Sequence, residues 1–261
     1  MSSHDPVFLT LMFLVGACFG SFANVLIYRM PAEESILGRS FCGFCGFRIP
    51  WKYNIPIIGY FILNGKCANC DRSFSIRYAG VEFLMAVLFT TLAYIYGPTW
   101  TTVEYLFLTF CLTVGSFIDW DHMILPNEIT VGGMLIGLIG AAINPERELT
   151  EALLGVIAGG GSLWLVAYIY FVFTGREGLG GGDIKLLAFI GAVLGWKAIP
   201  FVVLFSSTVG AIVGLAFSYK SKEGLKTVIP FGPFIALAAF FYMAGLKSIG
   251  IWYLQLFFPD I

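Results

Sequence analysis

Apolar residues fall along this chain in long runs broken by short polar intervals, rather than on the alternating or one-sided faces of a soluble fold. A membrane-spanning helix needs roughly 20 mostly apolar residues at about 1.5 Å each. Runs of this kind occupy residues 6–28, 79–97, 101–118, 126–143, 151–173, 198–219 and 229–247. An eighth run, 184–196, is short for a full crossing, yet the chain keeps a consistent orientation only if it is counted. Its Gly191, Ala192 and Gly195 suit close helix packing. The pattern predicts an all-α polytopic membrane protein with about eight transmembrane helices, held in a lipid bilayer. Composition agrees: 58% of residues are hydrophobic and only 12% are charged, about half the charge of an ordinary soluble domain.

The longest polar interval divides the chain into a first transmembrane helix (1–28), a loop domain (29–78) and a helical core (79–261). The loop domain carries seven cations against three acids, and with about 50 residues it is too small to fold on a core of its own, so a covalent or metal staple is expected. Cys42-Gly43-Phe44-Cys45 and Cys67-Ala68-Asn69-Cys70 supply it: two CxxC knuckles separated by 21 residues, close to zinc-ribbon spacing. Four thiolates on one tetrahedral zinc leave no open position for water, so the metal is expected to be structural. Two redox CxxC pairs or free thiols are the alternative, and a cytoplasmic location disfavours stable disulfides. Cys18 and Cys111 lie within apolar runs and read as small buried hydrophobes.

No Lys or Arg precedes the first apolar run and Arg29 follows it, which is the flank of an uncleaved signal anchor with its N-terminus outside. With that start, the loops 29–78, 119–125, 174–185 and 220–228 face the cytoplasm and hold twelve of the fifteen Lys and Arg; only Arg147, Lys197 and Lys247 fall opposite. Asp119 and Asp183 then both lie at the cytoplasmic edge of the bilayer.

Those two acids are the candidate catalytic residues. Each sits at the end of an apolar run, where an ionisable group is costly and marks a functional site by default. Asp121 would point roughly 200° away from Asp119 on a helix and reads as spare. Asp183 has a structural alternative as a helix N-cap, and the glycines before it admit a close backbone approach by a substrate or a neighbouring helix. A phosphate-binding loop is poorly supported, because no Lys-Ser/Thr follows and no alternating strands and helices surround the glycines; no nucleic-acid partner is expected either. Two carboxyls at close range resist simultaneous ionisation, so one acts as base toward water while the other donates to a carbonyl oxygen, as in aspartic proteases. Which of the two takes which role stays open. His4 and His122 are the only histidines and neither HExxH nor GxSxG is present, which leaves other hydrolytic routes poorly supplied.

Nearly the whole chain resembles the bacterial prepilin peptidases, or type 4 leader peptidases, of the GxGD class of membrane aspartyl proteases. The resemblance is carried by the stretch Gly16 to Pro31, by the loop from Ser40 through both CxxC pairs and Asn54-Ile55-Pro56 to Ser75-Ile76-Arg77-Tyr78 and Glu82, by Asp119, and by Gly180-Gly181-Gly182-Asp183 with Ile184-Lys185-Leu186-Leu187. Asn127 departs from it, since members often carry Asp after the Leu-Pro pair. The resemblance implies an inner-membrane enzyme that cuts type IV prepilins and type II secretion pseudopilins after the glycine ending a short basic leader. It also implies methylation of the new N-terminus with S-adenosylmethionine, at a donor site the sequence does not reveal. A transporter or channel with acidic pathway residues, and a non-catalytic pilus assembly scaffold, are the competing classes. Neither would yield a cleaved peptide, and the scaffold would survive loss of both acids.

Overall fold

The structure, a computed structural model, describes residues 3–176, 178–220, 229–248, 250 and 255. Its regular elements are helices, with two isolated β-bridges in the loop domain and no strand among the described residues. The chain divides into two compact units, Met1–Thr102 and Val103–Ile261.

The first unit holds α1 (Pro6–Arg29), a short α2 (Ile58–Ile62) and α3 (Arg77–Tyr96). Asp5 starts α1 by accepting the Val7 amide at 2.9 Å, with Pro6 in the first turn where its missing N–H costs nothing. α1 and α3 then meet along a seam of small residues. A Cβ on Gly16 would lie 2.7 Å from the Ala86 backbone, and one on Gly20 would lie 2.5 Å from Glu82 Cα. That approach buries Met85, Ala86, Phe89 and Leu92 completely or nearly so. Cys18 departs from its expected burial: two positions on from Gly16, it points away from the seam and is exposed, whereas Cys111 is buried as expected.

The second unit contains most of α4 (Trp100–His122), then α5 (Asn127–Ile143), α6 (Leu149–Thr174), α7 (Gly181–Leu194), α8 (Ile199–Lys220) and α9 (Gly232–Phe241), which a π turn continues to Leu246. The helix containing Asp119 runs four residues past the expected end of its apolar segment, and Pro126 stands at the N-cap of α5 as the helix break requires. Among the described residues, five helices are long and apolar enough to cross a membrane, and α5 and Gly232–Leu246 are shorter apolar helices. At 14 residues α7 is about 21 Å long, less than a hydrocarbon core of about 30 Å. It tolerates this because protein jackets it: Leu186 to Val193 are all buried, against α5 and α6 above all, with α8 and α9 also touching it.

Glycine makes that jacket tight. A Cβ on Gly155 would stand 2.0 Å from the Gly191 carbonyl oxygen and one on Gly159 2.4 Å from that of Leu187, while Gly133 admits the ring of Phe189. Gly191 and Ala192 therefore pack as expected. Gly195 acts differently, ending α7 at a φ of +78°. Beside that end, Arg147 donates to Glu104 at 2.8 Å and to the Ala192 carbonyl at 2.6 Å, so its charge is paired where α7 leaves carbonyls free. The basic segment 220–228, with Lys222 and Lys226, lies outside the described residues except for Lys220 at the end of α8.

Candidate active site and metal centre

Asp119 lies one turn before the end of α4 and is buried, 6% exposed, whereas Asp121 and His122 on the following positions are exposed. Met123, at a φ of +55°, stops the helix, and the chain turns through Leu125 and Pro126 into α5. Leu125 is the wedge of the site. Its Cδ2 would be 3.3 Å from a Cβ on Gly115, in α4, and its Cβ 3.0 Å from one on Gly182, beside Asp183. The glycine before the second acid thus admits a neighbouring segment, one of the two uses the sequence suggested for it.

Asp183 does not cap α7. Gly180 is the N-cap and Asp183 lies in the first turn with no capping hydrogen bond. Its carboxyl is within electrostatic reach of Asp119, so the structure brings together two acids 64 positions apart. Close by, Lys185 Nζ donates to Asn127 Oδ1 at 2.9 Å, which gives the position where an Asp was expected a neutral acceptor role. Sequence reasoning missed Gly232: its amide donates to Asp119 Oδ2 at 2.9 Å in a buried contact. The flanking prolines of Pro230-Phe231-Gly232-Pro233 were the available signal that the backbone there is fixed.

The four cysteines of the loop domain converge, with all sulfurs within 4.8 Å of one another, and they are the metal-type cluster found among the described residues. Cys42–Cys70 and Cys45–Cys67 sulfurs are 3.9 Å apart, matching the roughly 3.8 Å edge of a tetrahedron with zinc–sulfur bonds of about 2.3 Å. Each knuckle is the same turn built twice. Cys42 N donates to Phe47 O and Gly46 N to Cys42 O, while Cys67 N donates to Arg72 O and Asp71 N to Cys67 O. Gly46 and Asp71 hold the positive φ each turn needs, and the bridges Phe41–Arg48 and Lys66–Ser73 close them. The Asn69 amide and side chain donate to Cys67 and Cys45 sulfurs, as suits thiolates. The Cys42 thiol is drawn down to about 6 by the amides of Cys45 and Phe44. Cys70 is pushed up to about 12: the Arg72 amide lowers it, but desolvation and the three neighbouring thiols outweigh that. The donor set is compatible with a structural zinc.

Arg29, buried at the end of α1, anchors the start of this loop through the carbonyls of Ser35, Leu37 and Arg39 and stacks over Phe41 at 5.3 Å. Beside the knuckles, whose Cys42 and Cys67 help to line it, the first unit forms an open cavity of about 390 Å³, within the range that small-molecule sites occupy. Aromatic rings of Phe44, Tyr53, Tyr60 and Phe74 line it together with Asn24 and Glu82. Glu82 Oε2 accepts the Ile57 amide at 2.6 Å and so holds that residue at a φ of +64°, while Asn24 is fixed by donating to the Tyr78 carbonyl. The wall is largely apolar and aromatic and carries charges of both signs, Glu82 against Arg29 and Arg72.

Helices of this length, with two acids in electrostatic reach of one another in one helical unit and a four-thiol loop, mark a multi-pass membrane protein. Residues 14–96 match the Bacterial Peptidase A24 N-terminal domain, and residues 106–215 match the Type IV leader peptidase family. Relatives from several bacteria carry the name prepilin leader peptidase/N-methyltransferase. That of Aeromonas hydrophila is 35% identical over 96% of this chain and 95% of its own length, that of Pseudomonas aeruginosa 36% over 98% and 96%, and that of Legionella pneumophila 35% over 93% and 94%. The chain belongs to the Type IV leader peptidase family. No solved structure matches it.

Proposed function

We propose that this protein is a membrane aspartyl endopeptidase that removes the leader peptide of type IV prepilins and type II secretion pseudopilins after a glycine on the cytoplasmic side, and then N-methylates the new N-terminus with S-adenosylmethionine. The observation that carries the peptidase reading is the buried Asp119 within electrostatic reach of Asp183. Two carboxyls so placed share one proton and can activate water against an amide carbonyl without a metal. The names and near full-length similarity of the relatives support both activities.

The division into a first helix (1–28), a loop domain (29–78) and a protease core (79–261) follows from the same reading. So do a bacterial inner-membrane location, which the bacterial relatives support, and a periplasmic N-terminus with an active site at the cytoplasmic face, which the distribution of Lys and Arg supports. A substrate whose basic leader stays in the cytoplasm, ahead of a hydrophobic helix, presents its scissile bond at the depth of the two acids. Cys42, Cys45, Cys67 and Cys70 hold a zinc that folds the loop, and the cavity beside the knuckles, with Asn24 and Glu82 on its wall, receives the methyl donor. That donor supplies an electrophilic methyl group on a sulfonium; the acid and rings of the cavity orient its positive charge and exclude water.

The test uses purified protein in lipid nanodiscs with a prepilin-like substrate. Asp119→Asn and Asp183→Asn are each expected to lower cleavage by about a thousandfold or more while methylation of an already processed pilin continues. Cleavage retained in both would refute the carboxyl pair; ion flux with no peptide product would favour a channel. Metal analysis of Cys42→Ser/Cys67→Ser should show lost zinc and lost methyl transfer, and an unchanged zinc content would exclude the four-thiolate site.

A further inference from the structure

We infer that Gly232, through its backbone amide, divides the labour between the two acids: it holds Asp119 as the proton acceptor toward water and leaves Asp183 as the proton donor toward the scissile carbonyl. The inference rests on the reading of Asp119 and Asp183 as the proteolytic pair and goes beyond it, since chemistry alone leaves the two roles interchangeable.

The amide at the first position of α9 carries it. The opening amides of any helix have no partner within it. Here Pro233 has no N–H, and the amides of Phe234 and Ile235 turn back onto the Phe231 carbonyl at 3.1 and 3.2 Å. The Gly232 amide instead donates to Asp119 Oδ2 at 2.9 Å, in a buried contact spanning 113 positions of sequence. An amide N–H can only donate, so the oxygen it meets must present a lone pair. A carboxylate held this way by a charge-assisted bond keeps its second oxygen, Oδ1, free to accept. The positive end of α9 acts in the same direction.

Asp183 has no such arrangement. It too lies in the first turn of a helix, but among the described residues no hydrogen-bond donor to its carboxyl is present. The one proton the pair shares therefore belongs on Asp183. The approach is close: a Cβ at 232 would stand 2.6 Å from Asp119 Oδ2, so a side chain there would push the carboxyl out of place.

The reaction then runs in one sense. Water gives a proton to Asp119 Oδ1 as its oxygen bonds to the carbonyl carbon, and the carbonyl π pair moves onto oxygen, which takes the proton of Asp183. As the tetrahedral species collapses, the carbon–nitrogen bond breaks, the leaving nitrogen takes the proton from Asp119, and a hydroxyl of the carbon returns its proton to Asp183. One water and one amide become one acid and one amine, and both side chains return to their starting states. Gly232 touches none of the reacting atoms and is a positioning residue.

The experiment compares wild type, Gly232→Ala and Pro233→Ala in nanodiscs. Gly232→Ala is expected to lower kcat about a hundredfold with KM within a few-fold, and to weaken binding of a substrate analogue bearing a tetrahedral secondary alcohol in parallel with kcat. Pro233→Ala, which keeps the Gly232 amide, should change little. Wild-type kcat and analogue affinity in Gly232→Ala, with both Asp→Asn variants dead, would overturn this inference alone; live Asp→Asn variants would instead overturn the pair. Solid-state NMR of the wild type covers the case in which Gly232→Ala fails to fold. Asp119 is the one aspartate followed by tryptophan, so ¹³C-aspartate with ¹⁵N-tryptophan identifies its carboxyl. A carboxylate signal at neutral pH is expected, and a carboxylic acid signal would reverse the roles.

Discussion

Gly159 and Gly161 lie two positions apart in α6, and the structure gives them opposite surroundings. A Cβ on Gly159 would sit 2.4 Å from the Leu187 carbonyl oxygen of α7, whereas one on Gly161 meets nothing within 4 Å. The obstacle at 159 is backbone, so no side chain can rotate away, and α6 and α7 must part by about 1 Å to restore an ordinary contact. Overpacking of that size costs about 1–3 kcal/mol. Leu187 is one turn beyond Asp183 on the same helix, so the shift reaches the acid, and a displacement near 1 Å costs about a hundredfold in rate. Gly159→Ala is therefore expected to lower both thermal stability and leader cleavage. Gly161→Ala should leave cleavage unchanged and match or raise stability by up to about 1 kcal/mol, since Ala is the better helix former. Thermal unfolding in nanodiscs and initial cleavage rates of the two variants decide it. Equal behaviour of the pair would show that close α6–α7 contact does not set the position of Asp183.

Arg147→Met leaves Glu104 buried without its cation and frees the Ala192 carbonyl, and should cost about 3 kcal/mol in unfolding free energy; the double change with Glu104→Gln should recover part of it. Glu82→Gln removes the anionic acceptor that holds Ile57 in its left-handed conformation and the acid on the cavity wall, so binding of S-adenosylmethionine, measured calorimetrically, should weaken at least tenfold, on the order of 1.4 kcal/mol. Zinc affinity of the metal-free protein should climb as pH rises toward about 6 and less steeply above it. The sign follows from Cys42, whose thiol is lowered in the folded loop: its preference for the thiolate stabilises the loop above the ordinary thiol range and is lost as pH falls through about 6. A zinc affinity independent of pH across that interval would count against thiolate ligation.

Run lengths of apolar residues marked the apolar helices to within about four residues at each end, because a helix in lipid must satisfy its own backbone and its sequence shows this locally. The paired CxxC spacing likewise announced the four-thiol cluster, since each knuckle is a local turn repeated with the same hydrogen bonds. Asp119 and Asp183 were legible one at a time, as acids at the ends of apolar runs. Only the tertiary structure decided that Leu125 would wedge between Gly115 and Gly182 and draw the two together, that Cys18 would face outward, and that Arg147 would close the end of α7. The amide of Gly232 is the clearest case: a backbone donor is the same at every residue but proline, so the flanking prolines could mark a fixed backbone there but not that packing brings its amide against Asp119 from 113 positions away.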